Sequence, residues 1–131
     1  MLRLGLFNEL NKGQDIVLLA GTNEDIRMLS DHIGHALSKP VGLLALHDFA
    51  SVALNHHLEL FAVLKPQPKI YEDAPRFFWI CSEETFPEVE DKLSVLVGCK
   101  AGHHYFDLEG SATTLMVSVN EYDDEWWQKH G

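Results

Sequence analysis

Eight histidines and two cysteines are the residues of this chain whose chemistry could support a metal site or a catalytic nucleophile. His32 and His35 lie three residues apart, so on a helix they would face one side and could share an ion. A structural zinc site needs four such ligands, and a catalytic zinc site needs three ligands and an open position. The pairs His56-His57 and His103-His104 are adjacent, and neighbours on a strand point to opposite faces. The spacing therefore favours scattered histidines over a metal centre.

A nucleophilic mechanism would require Cys81 or Cys99 to act together with a histidine and an acid. Cys81 lies within an apolar predicted strand, and Cys99 follows the C-terminus of a predicted helix, where the helix dipole gives a thiolate no support. The motifs Gly-x-Ser-x-Gly, P-loop, His-Glu-x-x-His and Cys-x-x-Cys are all absent from the sequence. His47 and Asp48 stand near Ser51, but a triad is recognised by its geometry. We therefore expect reduced cysteines, no cofactor and a binding protein in preference to an enzyme.

The charge of the chain is strongly negative and unevenly distributed. Ten Lys and Arg residues against twenty Asp and Glu residues give a net charge of −10. Residues 1–65 hold five basic and seven acidic groups, net −2, and residues 66–131 hold five and thirteen, net −8. Such a field repels nucleic acid and anionic membranes and attracts basic partners. The alternative is an acidic surface that only keeps the protein soluble.

Two groups of acidic side chains are candidates for contact with a basic partner. One lies on the second predicted helix, and the other follows the last predicted strand together with three aromatic residues. Acids steer and select a basic target, and large aromatics anchor interfaces. The predicted partner-binding residues are Glu83, Glu84, Glu88 and Asp91 (with Glu90 beside them) on the helix, and Glu121, Tyr122, Asp123, Asp124, Glu125, Trp126 and Trp127 after the strand. The alternatives are a solvated helix face and a tryptophan that closes the core.

The elements that must position these residues follow from the apolar periodicity. Leu115, Val117 and Val119 alternate with more polar residues, a period of two that predicts a half-buried strand. Strands are predicted over residues 2–7, 15–20, 41–46, 58–65, 76–81, 103–108 and 112–120, and helices over residues 23–38 and 85–98. Thr22 is positioned to cap the first helix, and Thr85 with Glu88 has the spacing of a capping box. Residues 47–57 allow a short helix, a bulged strand or a hairpin loop.

This order of elements predicts one α+β domain over residues 1–131. It is a two-layer sandwich in which two helices pack on one face of a largely antiparallel sheet. Residues 2–7 and 15–20 form a hairpin across Asn11-Lys12-Gly13, and 15–20 is central because it is apolar on both sides. An acidic aromatic tail, about residues 121–131, follows, and the second sheet face would be open to a partner. The N-terminus lacks a signal peptide and no apolar run approaches the roughly 18 residues of a membrane span, which predicts a cytoplasmic protein.

Two segments carry a resemblance to a known family. The sequence Gly21-Thr22-Asn23-Glu24-Asp25, which leads into a helix that ends near Leu37, is one. The segment from Leu115 to Asp124, with Trp126 and Trp127 after it, is the other. Together they resemble the small α+β immunity proteins that bacteria encode beside secreted polymorphic toxins.

The resemblance implies a cytoplasmic immunity or antitoxin-like protein that binds one cognate toxin enzyme and blocks its active site or holds it inactive. Because the chain is acidic, we expect this toxin to be basic. We also expect the inhibitor to be a monomer or a weak homodimer. Two alternatives stay open. One is an acidic nucleic-acid mimic that antagonises a nuclease or a defence protein, and the other is a histidine-based metal-dependent enzyme.

Overall fold

The computed structural model describes residues 1–11, 14–52, 58–66 and 76–130. Its strands are β1 (Arg3–Asn11), β2 (Gln14–Gly21), β3 (Leu43–Ala45), β4 (Ser51–Val52), β5 (Glu59–Val63), β6 (Arg76–Ile80), β7 (Gly102–Asp107) and β8 (Thr114–Val119). Its helices are α1 (Asn23–Leu37), α2 (Phe86–Val97) and α3 (Asp124–His130), with a 3₁₀ turn at Leu46–Asp48. The strands form a larger sheet, β4-β1-β2-β8-β7, and a smaller one, β3-β5-β6. The predicted α+β sandwich is confirmed.

Both sheets mix parallel and antiparallel pairing, which differs from the largely antiparallel sheet predicted. β1–β2, β7–β8 and β3–β5 are antiparallel, whereas β1–β4, β2–β8 and β5–β6 are parallel. Parallel neighbours need a long crossover, and most of the chain lies between β2 and β8 and supplies it. The predicted hairpin of β1 and β2 and the central place of β2 are confirmed, although Lys12 and Gly13 of its turn lie outside the described residues.

α1 begins where the sequence predicts because its first turn is capped from both directions. The Thr22 hydroxyl accepts a hydrogen bond from the Asp25 N–H at 3.2 Å, and the Asp25 carboxylate accepts one from the Thr22 N–H at 2.9 Å. Burial opposes the charge of Asp25, but its carboxylate accepts hydrogen bonds from the Thr22 N–H, the Met1 ammonium and the Thr22 hydroxyl, and these hold its pKa below the ordinary value. The buried face of the helix, Ile26, Leu29, Ile33 and Ala36, then packs into the main core.

The capping box predicted for α2 is wrong. Thr85 precedes the helix, but its backbone is already helical and its side chain makes no cap hydrogen bond. A turn explains this, because the Ser82 carbonyl accepts from the Phe86 N–H at 2.7 Å and so satisfies one of the first donors of the helix. The Thr85 hydroxyl instead donates to the Ile80 carbonyl at 3.3 Å. α2 ends at Val97, before Gly98, as predicted.

No single structure was predicted for residues 47–57, and the described elements between α1 and β5 are short and irregular. The predicted strand over 41–46 is reduced to the three residues of β3, which a 3₁₀ turn and the two-residue β4 follow. Residues 53–57 and most of the connector 65–69 lie outside the described residues. In the part of the chain that the structure describes, no helix is long and apolar enough to cross a membrane.

The larger sheet is covered on both faces. α1 and α2 pack on the first face, as predicted, and one side of the smaller sheet joins the same core. On the second face a smaller core forms beneath α3 from Phe7, Ile16, Leu18, Ala20, Met116 and Trp127. The second face is therefore closed over β1, β2 and β8 where the sequence suggested an open one. For the same reason Leu115 to Val119 of β8 are all buried, and the predicted half-buried strand is buried on both sides.

Candidate functional site

The tail reverses direction at Asn120, directly after β8. Asn120 has φ 56°, a left-handed conformation that asparagine tolerates better than most residues. Its side-chain amide donates to the Asn23 side-chain oxygen at 2.7 Å and to the Lys100 carbonyl at 2.9 Å. The amide of Asn23 in turn donates to the Val97 carbonyl at 2.9 Å and the Cys99 carbonyl at 2.6 Å. These bonds fix the start of the tail against the end of α2 and the start of α1.

Glu121 is held on the second sheet face by two polar side chains. The Ser118 hydroxyl, which is fully buried on β8, donates to the Glu121 carboxylate at 2.6 Å. The His103 Nδ1 atom of β7 lies 2.9 Å from the same carboxylate. A buried hydroxyl is costly without a partner, and Glu121 supplies one. Glu121 therefore has a structural role besides its predicted role in binding.

α3 is short, and its first turn depends on two more of the predicted acids. The Asp123 carboxylate accepts from the Trp126 N–H at 2.9 Å, which caps the helix. The Asp124 carboxylate pairs with the Arg3 guanidinium at the start of β1. Glu125 pairs with Lys129 one turn later at 3.3 Å, and both side chains are exposed. Three predicted binding acids thus also order the tail.

The three predicted aromatic anchors have different environments. Trp127 is only 6% exposed, so it closes the smaller core and does not present an accessible anchor. Gly5 makes room for it, since a Cβ atom there would lie 3.1 Å from the Trp127 ring and 2.6 Å from the Phe7 ring. Trp126 is half-buried and contacts the rings of Tyr122 and His130 at centroid distances of 4.5 and 4.4 Å. Tyr122 and Trp126 are therefore the two anchors with exposed surface.

A groove of about 610 Å³ lies between the tail and the N-terminus of α1. Four carboxylates are among its lining residues, namely Asp25, Glu121, Asp123 and Asp124. The Met1 ammonium and the Arg3 guanidinium carry the opposite charge there and pair with Asp25 and Asp124, respectively. Tyr122 also lines it, and burial, followed by the charge of Glu121, raises the pKa of this phenol above its ordinary value. Like any tyrosine hydroxyl, it is a neutral hydrogen-bond donor at neutral pH. Asp25 was not predicted as a site residue, because only the fold brings it to the tail.

The acids of α2 do not join this groove. Asn23 ties the tail to the C-terminal end of α2, whereas Glu83, Glu84 and Glu88 lie at or before its N-terminal end. A helix of this length spans about 18 Å. Glu88 lines a second groove with Asp107 and Glu109, and Asp91 lines a third, between α1 and α2, that also contains Glu90. The structure thus separates the two predicted acidic groups.

The histidines and cysteines are dispersed. Within the described residues no three His, Cys, Asp or Glu side chains are placed to hold a metal ion, and His56 and His57 lie outside that part of the chain. His32 stacks on Phe49 with ring centroids 4.6 Å apart. Both cysteines are free, and burial raises the pKa of the Cys81 thiol far above its ordinary value.

No family model matches the chain, and no curated protein and no solved structure matches it either. The resemblance to bacterial immunity proteins stays a prediction. What the groove can do chemically follows from its own groups. It offers several carboxylates and a neutral phenol, and the half-buried Trp126 ring packs against that phenol next to the groove. This set is suited to holding a cationic side chain of another protein.

Proposed function

We propose that the protein is a non-enzymatic inhibitor of the immunity type, which binds a basic toxin enzyme through the groove between the tail and α1. The observation that carries this proposal is the convergence of Glu121, Asp123 and Asp124 with Asp25 around one groove. These residues come from opposite ends of the chain. Although Met1 and Arg3 pair with two of these carboxylates, the groove keeps an excess of negative charge. An acidic protein that is only solvated has no need for such a convergence.

Electrostatics supports a basic partner. The net charge of −10 gives a long-range field, and carboxylates gathered in a groove focus it. Such steering raises association rates by roughly tenfold to a thousandfold and weakens as salt increases. Tyr122 lines the groove together with the acids, and Trp126 contacts Tyr122 next to it, so the two residues add apolar surface there. This agrees with the anchors and polar rim of protein interfaces.

The order of the tail supports tight binding. Ser118 and His103 hold Glu121, Asp123 caps α3, and Arg3 pairs with Asp124. A partner would therefore meet side chains that are already positioned, and the entropy lost on binding would be smaller than for a flexible tail.

The test is binding to products of neighbouring genes, co-expressed with the tagged protein, followed by calorimetry on the purified pair. The double variant Asp123→Asn, Asp124→Asn removes two charges, and asparagine keeps the capping oxygen of residue 123. We expect it to weaken binding by about tenfold at low salt, which corresponds to about 1.4 kcal/mol. The partner's toxic activity should fall in proportion to the bound inhibitor.

The matched control is Asp15→Asn, Asp31→Asn, which removes the same charge from positions that do not line the groove. We expect this control to weaken binding by at most twofold to threefold, because it reduces only the long-range field. That change is roughly the contribution of a single screened charge pair. Equal weakening by the two double variants would show that net charge alone matters and would overturn the groove as the binding site. A partner that is acidic, or one whose activity is unchanged in the complex, would overturn the proposed function itself.

A further inference from the structure

Glu121 is held from behind the groove by two side chains that do not line it. The Ser118 hydroxyl donates to one oxygen atom of the carboxylate at 2.6 Å, and the His103 Nδ1 atom lies 2.9 and 3.2 Å from the two oxygen atoms. An ionised carboxylate only accepts hydrogen bonds, so Nδ1 carries a proton and donates it. The other ring nitrogen, Nε2, is then the atom that gains or loses a proton. His103 therefore influences the groove through the carboxylate of Glu121.

Glu121 is the charged group that faces His103 from another element. In the part of the chain that the structure describes, it is the one acid that forms an ion-pair contact with this imidazole. His103 lies on β7 opposite Ser118 of β8, and the Tyr105 ring of the same strand lies 5.2 Å from it between centroids. The serine hydroxyl and the tyrosine phenol carry no charge at neutral pH. The His103 side chain is 38% exposed, so its ring exchanges protons with solvent.

His104, the next residue of β7, lies on the other face of the sheet. It is opposite Val117, which belongs to the first core, whereas Glu121 and the tail cover the second face. The two histidines therefore share a strand and the same change of charge. His103 is the one that contacts a groove carboxylate.

The two protonation states of His103 give the groove different charges. Histidine ordinarily changes its charge between pH 5 and 8. Neutral His103 leaves Glu121 with its full negative charge, while the Nδ1 proton keeps the carboxylate in place. Protonated His103 forms an ion pair with Glu121 and cancels most of its attraction for a third group. A proton on His103 and a cation in the groove therefore oppose each other, and by linkage each lowers the affinity for the other.

We propose that His103 is a positioning residue of the groove. In its neutral form it holds Glu121 for a cationic side chain of the partner, and in its protonated form it weakens that contact. The inference rests on the proposed function, because it takes the partner to be basic and the groove to be its binding site. Affinity should fall as pH decreases through the range in which histidine gains its proton. We expect a loss of about threefold to tenfold between about pH 7.5 and pH 5.5, the effect of one screened like charge near the bound cation.

The test is an NMR titration with a capped tetra-arginine peptide at these two pH values and at constant ionic strength. Binding is followed through the amide signals of residues 120–124, which line the groove. His103→Asn keeps an N–H donor near the position of Nδ1 and cannot gain a charge. It should bind the peptide as the wild type does at the higher pH and lose no more than about twofold at the lower pH. That remainder comes from the other histidines, whose protonation reduces the net negative charge.

Two further variants separate the charge of His103 from its contact with Glu121. His104→Asn removes a histidine of the same strand from the other face and should keep the pH dependence of the wild type. His103→Leu removes both the charge and the donor. We expect it to bind the peptide about twofold to threefold more weakly even at the higher pH, because the Glu121 carboxylate is then less well ordered before binding.

The outcomes distinguish this inference from the proposed function. A pH dependence in His103→Asn equal to that of the wild type would overturn the role of His103 and leave the groove and its basic partner in place. Equal binding by His103→Leu and the wild type at the higher pH would overturn the positioning of Glu121 by the imidazole. A peptide that shifts no groove signal at the higher pH would instead contradict the groove as a site for cations, and with it the binding surface of the proposed function.

Discussion

The two faces of the larger sheet are covered in different ways. On the first face, α1 and α2 bury eight side chains in a continuous core that the smaller sheet also joins. On the second face, one seven-residue helix buries Trp127 and is held at its start by Glu121, Asp123 and Asp124. The first face is covered by apolar contacts, which fix few charged groups at the surface. The second face is covered in part by polar contacts of the tail, and these hold carboxylates at the surface. The face with the weaker cover is therefore the one with a candidate binding groove.

The largest loss of stability is expected from a cavity in the core of the first face. Leu93→Ala removes a fully buried side chain of α2, and we expect a loss of about 3–4 kcal/mol in the free energy of unfolding. Denaturant unfolding followed by circular dichroism measures this loss. Val95→Ala on the same helix is the control, because Val95 is 58% exposed and its loss should change stability by less than about 0.5 kcal/mol. Similar losses for the two variants would contradict the packing of α2.

A smaller effect is expected on the second face. Trp127→Ala should cost about 2–3 kcal/mol, near the lower end for such truncations, because the tail can detach without the first core opening. Hydrogen exchange should show faster amides in α3 and unchanged ones in α1. Trp126→Ala, at a half-buried position, should cost about 1 kcal/mol and keep α3 protected. If Trp127→Ala instead accelerated exchange throughout the chain, the two faces would form one cooperative unit.

The smallest loss of stability is expected at Asp25. This residue belongs to both faces, because it caps α1 on the first face and lines the groove beside the tail. Its pKa is lowered in the folded state, so its stabilising contribution is complete above the ordinary value of 3.8 and is lost as pH falls through the lower folded value. Asp25→Asn should therefore reduce stability at pH 7 by about 0.5 kcal/mol and leave it nearly unchanged at pH 2. Asp31→Asn, at an exposed position of the same helix, is the control for the removal of one negative charge. A deficit of equal size at both pH values would point to lost packing.

Local patterns were sufficient for the elements of the first face. The Thr22 cap and the apolar stripe of α1 predicted a helix that the structure has, and the continuous apolar run of β2 predicted a central strand. These features depend on neighbours within one turn or one strand. The capping box at Thr85 was wrong because the preceding turn at Ser82 already holds the Thr85 backbone in a helical conformation and accepts from the Phe86 N–H. The spacing from Thr85 to Glu88 does not reveal that turn.

The second face depends on contacts that no local pattern encodes. α3 is too short to be stable alone and exists because Trp127 packs on Phe7, with ring centroids 5.6 Å apart. The candidate site was predicted in part. Three of the four tail acids, Glu121, Asp123 and Asp124, line the groove and Glu125 does not, whereas Asp25 and Arg3 were missed. Their position follows from β1, β2 and β8 lying side by side, an order that a sequence period of two does not specify.

The hydrogen bond between Asn23 and Asn120 joins residues 97 positions apart in the chain. Closing so long a loop is entropically costly, and we expect it to come late in folding, after nearer contacts have formed. We therefore expect the groove beside the tail to form only as folding is completed. Binding of a partner there would be a property of the finished protein only, and it would select, from any mixture of folding states, the molecules that have completed their fold.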